Sequence, residues 1–144
     1  MSKGLALTIG LNSVDFFQYG SSGNLDACEN DANDMAALAS SQGFKVITLP
    51  TSLATRVNVI NEIKKAASSL TAGDIFLLTF SGHGKQLYDT NGDELDDHQD
   101  ETWCLYDGQL VDDEINELFA EFPQGCRILV FSDSCHSGTQ TKAR

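Results

Sequence analysis

The chain has 144 residues and a net charge of −12, from 21 acids against 9 bases, with 41% hydrophobic and 8% aromatic content. That length suits one domain, residues 1–144, with a core of its own. The acidity argues against nucleic acid or an anionic membrane as partner, and no apolar run reaches the ~20 residues needed to cross a bilayer.

In chain order, "GLALTIGL" (4–11) is a short apolar run that reads as a buried strand. The residues before it show no small-residue cleavage site, so a strand is expected there and not a signal peptide. "FFQYGSSGNL" is turn-rich and reads as a loop. "ENDANDMAALASSQG" predicts a helix with Met35, Leu38 and Ala39 on its period and Gly43 as a C-terminal cap. "FKVITL" (44–49) is a second strand, stopped by Pro50, with Thr51 or Ser52 placed to cap the next helix. That helix, 54–69, carries Val57, Ile60, Ile63 and Ala67 as its stripe. "DIFLLTF" (74–80) is a third strand, "VDDEINELFAEF" (111–122) a helix with acids in its first turn, and "RILVF" (127–131) a fourth strand.

Apolar strands alternating with amphipathic helices imply an α/β fold, a mostly parallel sheet covered on both faces. Working residues in such sheets sit beyond the C-terminal strand ends. The third strand runs into "SGHG" (81–84) and the fourth into "SDSCHSG" (132–138), so His83 and Cys135 are expected at one edge. A thiol beside an imidazole is the arrangement of nucleophilic catalysis. Gly82, Gly84 and Gly138 leave room for a substrate and free backbone N–H groups. Cys135 follows His83 by about 50 residues, the separation seen in caspases, although the caspase motif around the cysteine is absent. The four cysteines, Cys28, Cys104, Cys126 and Cys135, show no paired spacing; a reduced, cytoplasmic protein is the expectation.

"FSGHG", "DSCHSG" and "ACENDA" together, in this order, resemble the large-subunit (p20) region of metacaspases and bacterial orthocaspases, caspase-like cysteine peptidases. The resemblance covers nearly the whole chain. It implies a caspase-like fold, His83 as catalytic acid/base and Cys135 as nucleophile, with the backbone N–H groups of Gly84 and Cys135 as oxyanion hole. It implies cleavage of protein substrates after Arg or Lys, with Asp31 and Asp133 as the acids of the specificity pocket and Cys28 and Ser81 beside them. Carboxylates are what a basic side chain requires. His98 and His136 match no motif and read as surface or structural residues. Two other readings keep the fold but not the activity: a non-catalytic protein-binding module and a calcium-regulated binding domain.

Eleven of the 21 acids lie between Asp89 and Glu114. "DTNGDELDDHQDE" (89–101) fails as an EF-hand, because Glu94 stands at the invariant glycine and Asp100 at the bidentate glutamate. The resemblance offers Asp97, Asp112 and Asp113 for a different calcium site. Its further aspartate has no counterpart in "CHSGTQTKAR", where Lys142 stands instead, so no calcium or other cofactor is expected. Arg144 is the residue type that such an enzyme leaves at a new C-terminus. Self-processing there is expected, with the small-subunit (p10) region as a separate chain, and a monomeric enzyme.

Overall fold

The computed structural model describes residues 2–84, 102–134 and 141–143, with the backbone alone for 134 and 141–143. Among these described residues, seven strands and four helices follow in the order β1 (Gly4–Gly10), α1 (Phe16–Tyr19), α2 (Cys28–Ser41), β2 (Lys45–Pro50), α3 (Arg56–Ser69), β3 (Ile75–Gly82), β4 (Thr102–Leu105), β5 (Gly108–Val111), α4 (Asp112–Phe119), β6 (Arg127–Ser134) and β7 (Thr141–Ala143). The main sheet has the order β2-β1-β3-β6-β7. Its first four strands are parallel, and β7 closes the edge antiparallel to β6. The α/β expectation of a mostly parallel sheet with helices on both faces therefore holds. No helix among the described residues is long and apolar enough to cross a membrane.

Alternation along the strands sorts the two faces. Leu7, Ile9, Phe76, Leu78, Phe80 and Val130 point to one face and form the main core with Val59 and Ile63 of α3 and Ile115 and Leu118 of α4. Ala6 and Leu77 point to the other face, where they meet Ala39 of α2. The buried side of α2 consists of Cys28, Ala32 and Ala39, all small, so the helix lies close on the sheet. Gly10 is part of this fit: a Cβ there would stand 2.2 Å from the carbonyl oxygen of Cys28. The start of α2 is thereby held against the C-terminal end of β1.

Several local expectations change. Residues 16–19 form one helical turn, capped by the Asp15 carboxylate, which accepts from Phe17 N–H. Thr51–Leu53 form a 3₁₀ turn, and Thr55, not Thr51 or Ser52, caps α3 by accepting from Asn58 N–H. The stripe of α3 is Val59, Ile63, Ala66 and Ala67; Val57 is 63% exposed, because a residue two before Val59 lies on nearly the opposite side of the helix. Leu38 is also exposed, while its neighbour Ala39 is buried. Gly43 does take the left-handed conformation (φ 91°) after α2.

The largest addition is the β4–β5 hairpin, closed by the two residues Tyr106 and Asp107. Trp103, Cys104, Leu105 and Leu110 are completely buried there. The Trp103 ring stacks on Phe80 at 4.9 Å, and its indole N–H donates to the Ser132 hydroxyl at 3.0 Å, tying the hairpin to the ends of β3 and β6. Arg56 locks the far side. It forms a bidentate pair with Glu114 (2.7 and 3.0 Å) and donates to the carbonyl of Gln109, while its backbone N–H donates to Asp107.

Candidate active site

β3 and β6 run in register to their last residues, Ser81 beside Asp133 and Gly82 beside Ser134. The two strands therefore end at one edge of the sheet. His83 and Gly84 are described; Cys135, with His136, lies outside the described residues, as do Asp97, His98, Asp100 and Arg144.

His83 is half-buried. Its Nε2 lies 2.8 Å from the carbonyl oxygen of Gly23. A carbonyl can only accept, so Nε2 carries the proton and Nδ1 is the nitrogen left as a base. Gly23 belongs to the loop between β1 and α2, read from sequence only as turn-rich. That loop is anchored at several points. Asn12 N–H donates to the Thr51 hydroxyl, Glu29 N–H donates to the Asn12 side chain, and the Thr51 hydroxyl donates to the Glu29 carboxylate. Thr51 holds a left-handed conformation (φ 35°) that a β-branched residue seldom adopts, supported by this network. The loop also joins the hairpin through Asp15 N–H to Tyr106 O (3.0 Å).

On the α2 face of the sheet, Asp31, Ser81 and Asp133 come together. The Ser81 hydroxyl donates to Asp31 at 2.9 Å. The three residues line one cavity of about 250 Å³, walled further by Asp34, Met35 and Phe131. One oxygen of Asp133 is buried without a hydrogen-bond partner among the described residues. Burial pushes the Asp133 carboxyl above the ordinary carboxylate range, and the Asp31 carboxylate pushes it further the same way. This is a small acidic cavity with unsatisfied acceptor capacity, suited to a cationic donor.

Cys28 is buried in the first turn of α2, outside the wall of this cavity. Asp112 and Asp113 stand in the first turn of α4, where acids favour the helix terminus; the Asp112 carboxylate accepts weakly from Asn116 at 3.5 Å. Among the described residues no group of three or more His, Cys, Asp or Glu is placed to hold a metal ion. Sequence reading missed Gly23, whose contribution is a backbone carbonyl and has no side-chain signature. It also missed the hairpin, although "TWCL-YD-GQLV" carries a two-residue turn followed by glycine.

Residues 5–143 match the family model described as metacaspase, peptidase C14 domain. Metacaspase-1 of Schizosaccharomyces pombe is 33% identical over 150 residues, covering 94% of this chain and 34% of that protein. Metacaspase-3 of Arabidopsis thaliana is 33% identical over 135 residues, covering 83% of this chain and 37% of its own length. The crystal structure of protein GSU0716 from Geobacter sulfurreducens superposes with a TM-score of 0.83 at 59% identity, over 95% of this chain and 52% of that one. The chain thus spans about a third of the length of the curated relatives it matches. With a family match over nearly every residue and the strand order and histidine-bearing edge described above, the chain belongs to the metacaspase family.

Proposed function

We propose that this chain is the catalytic part of a cysteine endopeptidase that cleaves after arginine or lysine. The observation that carries the specificity is the acidic cavity of Asp31, Ser81 and Asp133 at the sheet edge that bears His83. A guanidinium or ammonium there would meet the Asp133 oxygen that has no partner among the described residues, and would offset both the burial and the Asp31 repulsion that raise its pKa.

In the proposed reaction the Cys135 thiol passes its proton to His83 Nδ1 and the thiolate attacks the scissile carbonyl carbon. The Gly84 and Cys135 backbone N–H groups receive the oxyanion. Collapse of the tetrahedral species breaks the C–N bond, and His83 returns the proton to the leaving amine. Water, deprotonated by His83, then attacks the thioester and the Cys135 thiolate departs. The Gly23 carbonyl supports this cycle by accepting from Nε2–H, which leaves Nδ1 to take the proton. Calcium takes no part in this scheme, and the p10 region supplies the remainder of the pocket.

A peptide panel with Arg, Lys or Asp in the residue before the scissile bond tests the reading. Cleavage after Arg and Lys, abolished by Cys135→Ala and insensitive to chelator, is expected. Cleavage after Asp alone overturns the pocket assignment, and no cleavage by the full-length protein points to a binding module. Intact mass tests self-processing: an Arg144 terminus that persists in Cys135→Ala excludes it.

A further inference from the structure

The acidic cavity is deeper than its carboxylates need. Ser81 and Asp133 lie side by side at the ends of β3 and β6, and two residues earlier Thr79 and Phe131 form the next row on the same face. All four line the cavity, together with Asp31 and, one helical turn further along α2, Met35. The cavity thus has two tiers. The upper one, at the sheet edge, holds two carboxylates and the Ser81 hydroxyl. The lower one holds the Thr79 hydroxyl between the apolar walls of Met35 and Phe131, with Asp34 exposed at the rim.

Thr79 is only 4% exposed. Its row continues across the sheet through Thr8 to Thr48, and the hydroxyls of those two bond to each other at 2.9 Å. Among the described residues the Thr79 hydroxyl has no hydrogen-bond partner, and it lines the cavity. A buried hydroxyl without a partner destabilises a fold, and valine would fill nearly the same space without that cost. The open acceptor therefore points to a donor brought by a ligand.

An ammonium and a guanidinium use two tiers differently. Successive rows on one face of a strand are about 6.6 Å apart. An ammonium carries its three donors on one nitrogen, so two charge-assisted bonds of about 2.8 Å in opposite directions span about 5.6 Å at most. Once its carboxylates are engaged, the lower tier is out of reach. A guanidinium spreads five donors over a plane and adds its own width, so it bridges both tiers. Its weakly hydrated faces also suit the apolar walls, of which Phe131 is aromatic. We infer that Thr79 is a specificity-determining residue: its hydroxyl accepts the far N–H of an arginine guanidinium whose near edge is held by Asp31 and Asp133, and it thereby selects arginine over lysine. The assignment deepens the peptidase reading above and rests on it.

The test uses the full-length protein with Thr79→Val, which removes the hydroxyl at nearly constant volume, and Thr79→Ser, which keeps it. The first readout is the ratio of kcat/KM for arginine and lysine peptides of otherwise identical sequence. The second is calorimetric binding of n-butylguanidinium and n-pentylammonium in the Cys135→Ala background, which needs no turnover. Wild type should favour the guanidinium in both. Thr79→Val should lower both preferences about tenfold, the lower end of what a hydrogen bond to a charged group contributes, and should melt no lower than wild type. Thr79→Ser should retain most of the preference.

A wild type that prefers lysine, a ratio unchanged in Thr79→Val, or a Ser variant as unselective as Val overturns the inference. So does a lower melting temperature with equal losses on both peptides, which marks a merely structural role. An active wild type with any of these results overturns this inference alone. A wild type that hydrolyses no peptide overturns the peptidase reading; the two cations then decide the role of Thr79 by themselves, and a cavity that binds neither overturns the inference as well.

Discussion

Asp133→Asn separates the two things that a buried carboxylate does in this cavity. In the free protein the charge is a liability. One oxygen has no hydrogen-bond partner among the described residues, burial disfavours the ionised form, and Asp31 repels it. A carboxyl whose native pKa is raised above its unfolded value lowers stability at neutral pH; that penalty begins to shrink as pH falls through the native pKa and is gone below the unfolded one. Asparagine has nearly the same shape, carries no charge and can present an N–H toward Asp31. The variant should therefore melt higher than wild type at pH 7, with the difference shrinking in acid. Binding should move the other way. A hydrogen bond to a charged group contributes about 1.5–3 kcal/mol, so kcat/KM for an arginine peptide should drop by a factor of roughly 10–150. The wild-type kcat/KM should itself decline on acidification, starting at higher pH than an ordinary aspartate would dictate, and Asn should remove that phase. The assays are thermal unfolding and initial rates across pH on the full-length enzyme. A lower melting temperature together with an unchanged kcat/KM would refute the argument on both counts.

Gly10→Ala should destabilise by about 3 kcal/mol or more in denaturant titration, since the new Cβ meets backbone at 2.2 Å, beyond the relief that ordinary overpacking permits. It should also reduce activity, because the start of α2 that it displaces carries Asp31. Asp74 accepts from the N–H groups of Lys3 and Thr71, which hold its carboxyl below the usual range. The resulting stabilisation is present above about pH 3.9 and is lost as pH falls through the depressed native pKa; Asp74→Asn should flatten the acid limb of the stability profile. Ser132→Ala leaves the buried Trp103 N–H unpaired and should cost about 1–3 kcal/mol. Trp103 is the one tryptophan of the chain, so its emission reports that loss directly.

The periodicities alone were enough to mark β1, β2, β3 and β6 and the helices α2, α3 and α4, because a parallel strand buried on both faces is a continuous apolar run. They were enough, too, to put the ends of β3 and β6 side by side, Ser81 beside Asp133 and Gly82 beside Ser134. What they did not contain was a partner for any of these groups. The Gly23 carbonyl that sets the His83 tautomer is backbone, reached from a loop 60 positions away. The assembly of Asp31 with Asp133 depends on α2 lying close over β3, which Gly10, Ala32 and Ala39 permit through their small size. The hairpin of Trp103 and Cys104 was hidden for a different reason: its strands are four residues each, too short for alternation to register. Which elements form is decided by local pattern. Which carbonyl meets which N–H, and which carboxylate loses its water, is decided by packing between residues far apart in the chain, and only the tertiary structure holds that information.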